Sequence, residues 1–321
     1  MTKRSAVPPP VTAVLDASSL WLPARLGEVE ELLRERARGH GDLLAAAAAE
    51  TLTAGGKRLR PLLVLLCAGP DGGNDSVRAA AAIELVHMAT LVHDDVLDDA
   101  PLRRGQPTVF ATGGRARATS VGDLLFSQAF ALLAEHEDSR AISLLAKAST
   151  ALARGELAQR HDAFDSSVDE RRYLGRCRLK TATLFECACL LGRDVPELGA
   201  FGAEIGLAFQ LLDDVLDVSG PAERTGKARG TDLLDGTVTL PLIVAAESDP
   251  SLREVDLRTL GLASAEPLCD RIAATGALEK VRTRALAMVE AAKQKLNEGS
   301  FDPEQKRLLE LVADGVVERY A

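Results

Sequence analysis

Asp94-Asp95-Val96-Leu97-Asp98-Asp99-Ala100-Pro101-Leu102-Arg103-Arg104-Gly105 closes a long apolar helical pattern. Four of its first six residues are aspartates. On a helix Asp94 and Asp98 share a face, and like charges at that spacing repel by roughly 0.2–0.5 kcal/mol per pair. Either that face is solvated or a cation sits between the carboxylates. The two arginines that follow suit a polyanionic ligand: carboxylates hold a divalent metal, the metal holds phosphate, and guanidinium groups hold more phosphate. A lone Asp-Asp-x-x-Asp is more often a solvated helix end. Here a second copy, Asp213-Asp214-Val215-Leu216-Asp217, closes another apolar run, Ile205 to Leu212. Two such helices facing across a cavity can grip one diphosphate through shared Mg²⁺.

Outward from the first motif, Val77 to Asp98 reads as one helix, with Ser76 as its cap after a loop from Gly69 to Asp75. Its apolar residues fall on more than one face, which predicts burial. His87 lies two turns before Asp94, either as a core histidine or as part of the ligand site; His93 reads as structural. Upstream, helices are expected at 26–38 and 42–52, with Asp42 as a cap. Gly55-Gly56 breaks the pattern, and Lys57-Arg58-Leu59-Arg60-Pro61 follows. This is either an interhelical turn or a phosphate-binding turn, and its glycine spacing excludes a P-loop. Pro61 suits the first turn of the next helix.

Downstream, Gly105 to Gly114 reads as a loop able to move over a site. Helices follow at 118–133, 142–159, 168–191, 197–218, a short one with Pro241 early in it that runs to about 246, then 264–274, 277–297 and 303–319. Lys180-Thr181 lies in one of them, as a surface pair or a phosphate contact. Gln210 shares a face with Asp213. Lys227 stands in a polar loop, 220–236. No strand pairs with turn signals are evident, so the class is all-α.

The chain has 321 residues, 46% of them apolar, a net charge of −9 and only 3% aromatics. No basic patch alternates with aromatics, which argues against nucleic acid. The five cysteines, Cys67, Cys177, Cys187, Cys189 and Cys269, form no Cys-x-x-Cys pair and sit mostly in apolar helical patterns, as buried reduced thiols. No signal-peptide pattern or membrane span is found, so the expected setting is cytoplasmic. Residues 1–24, with Pro8, Pro9, Pro10 and Pro23, read as a mobile arm, and 25–321 as one helical domain.

The combined pattern resembles the trans-type polyprenyl diphosphate synthases. The matching pieces are Gly55 to Pro61, His87, His93 to Asp98 with Arg103-Arg104-Gly105, Lys180-Thr181, Phe209-Gln210 with Asp213, Asp214 and Asp217, and Gly226-Lys227. Each piece alone is unspecific; together, and in the family's order, they are specific. The resemblance implies the isoprenoid synthase fold, a single helical bundle around a central cavity. It implies condensation of an allylic diphosphate with isopentenyl diphosphate, dependent on Mg²⁺, about three ions with diphosphate bound. Asp94, Asp98 and Asp213 would ligate metal, with Asp95, Asp214 and Asp217 completing or orienting the shell. Arg103, Lys180 and Lys227 would bind the allylic diphosphate, supported by Thr181 and Gln210. Lys57, Arg60, His87 and Arg104 would form the isopentenyl diphosphate pocket.

The resemblance also implies a homodimer, and at most transient membrane contact as a long product leaves. A bulky aromatic near Ala89 stops elongation early in this family. None is present, and the first motif lacks the two-residue insertion of many bacterial short-chain enzymes. Both features favour a medium or long product over a farnesyl or geranylgeranyl one, although another helix, around Leu144 or Leu145, is an alternative floor for the tunnel. One position departs from the pattern: where the family often reads Gly-Lys-x-Thr-Leu-Pro, this chain reads Gly236-Thr237-Val238-Thr239-Leu240-Pro241. The missing lysine predicts weaker allylic binding or slower ionisation. Two other readings compete. A class I terpene cyclase would lack the Lys57/Arg60 turn and carry more aromatics; a non-catalytic subunit of a heteromeric synthase would have eroded motifs.

Overall fold

The computed structural model describes residues 14–18, 21–38, 40–53, 58–103, 105–220 and 229–318. It is all-α, as expected. The helices are α1 (Leu22–Ala37), α2 (Asp42–Thr53), α3 (Leu59–Ala68), α4 (Gly73–Leu97), α5 (Val109–Ala134), α6 (Ser139–His161), α7 (Glu170–Cys177), α8 (Thr183–Gly192), α9 (Pro196–Ser219), α10 (Thr231–Leu234), α11 (Leu240–Ser248), α12 (Leu262–Ala274), α13 (Ala277–Glu298) and α14 (Pro303–Glu318). A π turn, Arg178–Ala182, joins α7 to α8.

The long helix α4 lies at the centre, about 37 Å from end to end at 1.5 Å per residue. It packs along α5 and against α1, α3 and α8. From Ser76 to Ala89 nearly every side chain is buried, including the alanine run Ala79–Ala82, so helices approach it from several sides. The second pillar, α9, packs on α8 and α13. Small residues set the closest crossings. A side chain at Gly192 would meet the Val64 carbonyl at 2.3 Å, and one at Gly202 the Phe185 carbonyl at 2.6 Å.

Several boundaries differ from the sequence reading. Helix α4 starts at Gly73, and the Ser76 hydroxyl donates to the Gly73 carbonyl instead of capping the helix. The expected loop up to Gly114 is mostly ordered structure. Leu102–Arg103 pairs antiparallel with Gln106–Pro107 as strands β1 and β2. Thr108 then caps α5, its hydroxyl accepting from the Ala111 N–H at 3.0 Å. Gly114, at φ 75°, kinks that helix. Of the expected arm, Val14, Ser18 and Leu22 are buried in the core; Pro8, Pro9 and Pro10 lie outside the described residues. All five cysteines are free and buried. Among the described residues no helix is long and apolar enough to cross a membrane.

Candidate active site

Both acidic motifs stand at helix C-termini, where the backbone already presents its negative end and an added carboxylate is unfavourable. Helix α4 stops at Asp98, whose N–H donates to the Asp94 carbonyl, and Asp99 takes a left-handed conformation that turns the chain into β1. Helix α9 ends shortly after Asp217. The two ends line one cleft of about 240 Å³, with Asp94 and Asp98 from α4 and Asp213 and Asp214 from α9. Arg103, Lys180, Thr181 and Gln210 complete the predicted set within it. Such a concentration of carboxylates at two helix ends is favourable only with cations between them.

A pair of close helix approaches places Lys180 and Thr181. Lys180 sits in the π turn, one extra residue that turns the side chains relative to a regular helix; such turns are frequent at functional sites. A Cβ at Gly155 on α6 would lie 2.7 Å from the Lys180 backbone N, and one at Gly206 on α9 would lie 2.8 Å from the Ala182 Cα. Glycine on both flanking helices therefore lets the π turn fit between them. Glu156, next to Gly155, accepts from Lys180 Nζ at 2.5 Å. Burial acts to lower the Lys180 pKa, but the Asp94 and Glu156 carboxylates outweigh it and the pKa stands raised.

Burial pushes the Asp94 carboxyl up to about 6; Lys180 opposes the shift, while Glu156 and Asp98 add to it. Asp98 is exposed and accepts from Arg160 Nη2 at 2.5 Å. Asp214 is buried, and burial raises its pKa strongly, helped by the Asp232 charge. Its two oxygens accept from Gln210 Nε2 at 2.7 Å and from the Tyr173 hydroxyl at 2.5 Å. Gln210 Oε1 in turn accepts from the Thr181 hydroxyl at 2.7 Å. Asp214 thus orients Gln210, and Gln210 orients Thr181.

Other predicted residues lie outside the cleft wall. Asp95 is buried and holds Arg103, whose Nε donates to it at 2.8 Å. Asp217 accepts from the Asp232 N–H at 3.2 Å and so fixes α10. His87 is half-buried on α4. Arg60 is stacked 4.7 Å above the Phe185 ring, and its Nε is buried with no hydrogen-bond partner. Burial lowers its pKa to about 10, against the pull of Glu84. Its neighbour Arg58 is spent on structure, paired with Glu84 at 2.7 Å and with Glu30. His93 stacks on Phe126 at 5.8 Å and packs over Gly122, as a structural residue does. Lys57, Arg104 and Lys227 lie outside the described residues.

The cleft also holds residues that the sequence reading missed: Gln159 and Arg160 on α6, Tyr173 and Arg176 on α7, and Asp232, Asp235 and Thr239. Only Asp232-x-x-Asp235 carried a signal, as a third acidic pair. Among the described residues no three His, Cys, Asp or Glu side chains converge as a finished metal cage. Carboxylates from two helices on a shared cleft instead suit Mg²⁺, which is usually bound by one or two carboxylates together with water and substrate phosphates.

Residues 42–267 match the polyprenyl synthetase family. The chain is 42% identical over 245 residues to heptaprenyl diphosphate synthase component 2 of Geobacillus stearothermophilus, covering 73% of this chain and 77% of that one. It is 36% identical over 249 residues to octaprenyl diphosphate synthase of Escherichia coli K12, with the same coverage of 73% and 77%. A polyprenyl synthase from Caulobacter crescentus CB15, solved with calcium and isoprenyl diphosphate, superposes with a TM-score of 0.90 at 32% identity, over 99% of this chain and 100% of that one. With the isoprenoid synthase fold and these relatives, the chain belongs to the polyprenyl synthetase family of prenyltransferases.

Proposed function

We propose that the protein condenses an allylic diphosphate with isopentenyl diphosphate, head to tail and with Mg²⁺, and repeats the cycle to a medium or long polyprenyl diphosphate. The observation that carries this reading is the shared cleft, lined by Asp94 and Asp98 from α4 and by Asp213 from α9. In each cycle the allylic C–O bond breaks with its electron pair leaving on pyrophosphate, the alkene of isopentenyl diphosphate attacks the resulting cation, and a proton passes to a pyrophosphate oxygen, which restores an allylic double bond. Asp94, Asp98 and Asp213 would hold Mg²⁺, which when bound supplies Lewis-acid and electrostatic stabilisation of the departing pyrophosphate. Arg103 and Lys180 bind the allylic diphosphate directly, and the resemblance adds Lys227 to them. Thr181 and Gln210 orient it, held in turn by Asp214. Arg60, with Lys57, His87 and Arg104, serves the isopentenyl diphosphate, and the orphaned Arg60 Nε is the donor such an anion would satisfy.

The product grows along α4, past Ala89 and Val86. Both are small or medium in size and fully buried. The names of the relatives, heptaprenyl and octaprenyl synthases, support that product class. We take the working unit as a homodimer, as the resemblance implies, and its setting as cytoplasmic. Leu97, Leu102 and Leu157, exposed on the elements that carry the cleft, suit transient contact of its rim with a membrane during product release. The test is turnover of labelled isopentenyl diphosphate with Mg²⁺ and allylic primers of increasing length, with products dephosphorylated and sized. A ladder ending at a defined length supports the proposal; cyclised hydrocarbon formed without isopentenyl diphosphate refutes it. The Geobacillus relative is named as one component of a synthase, which favours a second reading, a catalytic subunit that needs a partner. Turnover restored only by a second protein would select that reading.

A further inference from the structure

We infer that Arg176, on α7, supplies the positive charge that position 237 lacks at the diphosphate end of the cleft, and that it is a binding residue for the allylic diphosphate. The inference rests on the function proposed above. Thr237 and Arg176 line the same cleft. The Arg176 guanidinium lies against the backbone next to Thr237: Nη2 donates to the Val238 carbonyl. Its face lies over the Tyr173 ring, 5.3 Å from the centroid, and Tyr173 itself donates to Asp214. A cation from α7 therefore reaches the stretch of cleft wall that a side chain at 237 would serve.

Among the described cations of the cleft, this arginine has the most distant carboxylate partner. Among the described residues four cationic side chains line the cleft. Arg103 already sits on Asp95 at 2.8 Å, Arg160 on Asp98 at 2.5 Å and Lys180 on Glu156 at 2.5 Å. Arg176 is only 4% exposed. Among the described residues its one carboxylate within ion-pair distance, Asp162, stands 3.4 Å away and is held more closely by Arg172, at 2.5 Å. Its bond to the Val238 carbonyl brings no charge. A buried cation with so weak a counter-charge costs stability unless a further anion completes it. A guanidinium offers five N–H donors in a planar fork that matches phosphate oxygens. The geometry fits a fold that keeps this charge for an anionic ligand.

The test measures binding of inorganic pyrophosphate with Mg²⁺ by calorimetry, and the two Michaelis constants, for wild type, Arg176→Met, Arg176→Lys, Thr237→Lys and the double variant Arg176→Met/Thr237→Lys. Arg176→Met is expected to weaken pyrophosphate about 10- to 100-fold, as loss of a charge-assisted contact should, and to raise KM for the allylic substrate but not for isopentenyl diphosphate. Arg176→Lys should retain most of the binding. Thr237→Lys should restore the Met variant to within about threefold of wild type, a rescue that a purely structural arginine would not permit. In the wild-type background Thr237→Lys should change binding by less than about threefold, because the position is already served. Gain of more than about tenfold there overturns the inference, even if Arg176→Met fails to fold. Unchanged binding by a folded Arg176→Met also overturns it. Wild type that binds no pyrophosphate overturns the proposed function and this inference with it, whereas unchanged binding in the Met variant overturns the inference alone.

Discussion

Gly155→Ala should damage catalysis far more than it damages the fold. A Cβ at Gly155 would lie 2.7 Å from the Lys180 backbone N and 3.0 Å from both the Leu179 carbonyl carbon and its Cβ. Two of these atoms are backbone, so no side-chain rotation relieves the clash. Ordinary contact begins at 3.4 Å, so α6 and the π turn must part by 3.4 − 2.7, or 0.7 Å. Overpacking of this kind costs about 1–3 kcal/mol, while alanine in a helix interior regains about 1 kcal/mol over glycine. The net loss of stability is therefore about 0–2 kcal/mol. The displaced group is Lys180, whose Nζ sits 2.5 Å from Glu156 and whose charge faces Asp94. A misplacement near 1 Å can cost about 100-fold in rate, so kcat/KM for the allylic substrate should fall about 10- to 100-fold. Thermal denaturation and steady-state turnover read the two effects separately. Unchanged kcat/KM in a folded variant would refute the claim that this glycine sets the position of Lys180.

Asp94 should make the metal-free protein less stable as pH rises. Its folded pKa of about 6 lies above the unfolded value. The folded state therefore binds the extra proton between roughly pH 4 and 6, and this contribution, present below the unfolded pKa, is lost as pH climbs through 6. Asp94→Asn should be more stable than wild type by up to about 3 kcal/mol above pH 7, with the gap closing in acid; a pH-independent gap in denaturant titrations would contradict the assignment. Arg60→Met should keep or gain stability, because it removes a buried charge with an orphaned Nε, while KM for isopentenyl diphosphate rises by about tenfold or more. Loss of stability with no change in that KM would count against its role. Ala89→Phe adds a ring at a fully buried site on α4, at about 1–3 kcal/mol, and should shorten the product ladder; products of unchanged length would place the tunnel elsewhere.

The placement of the motif residues was legible because it follows helical spacing. Asp94 and Asp98 share a face whatever the tertiary structure, and Gln210 with Asp214 is an i, i+4 hydrogen bond within one helix. What was not legible depends on helices meeting. Glu156 reaches Lys180 only because Gly155 admits the π turn. Arg176 enters the cleft because α7 packs beside the segment before α11. Asp217 repeats the motif spacing, but that it also accepts from the Asp232 N–H at the start of α10 depends on the two helices meeting. The hairpin β1–β2 is two residues per strand, too short for any periodicity. The start of α5 was hidden by glycines at 113 and 114, although Thr108 carried the capping signal.

The most direct test of the shared cleft is pyrophosphate binding with and without Mg²⁺ by wild type, Asp94→Asn, Asp213→Asn and the double variant. If carboxylates from both helix ends hold one metal–diphosphate unit, wild type binds tightly only with Mg²⁺. Each single variant then loses most of that binding, and the double variant is little worse than either, the non-additive result expected of one coupled site. Binding that survives intact in either single variant, or losses that simply add, would contradict a site built from both aspartate motifs.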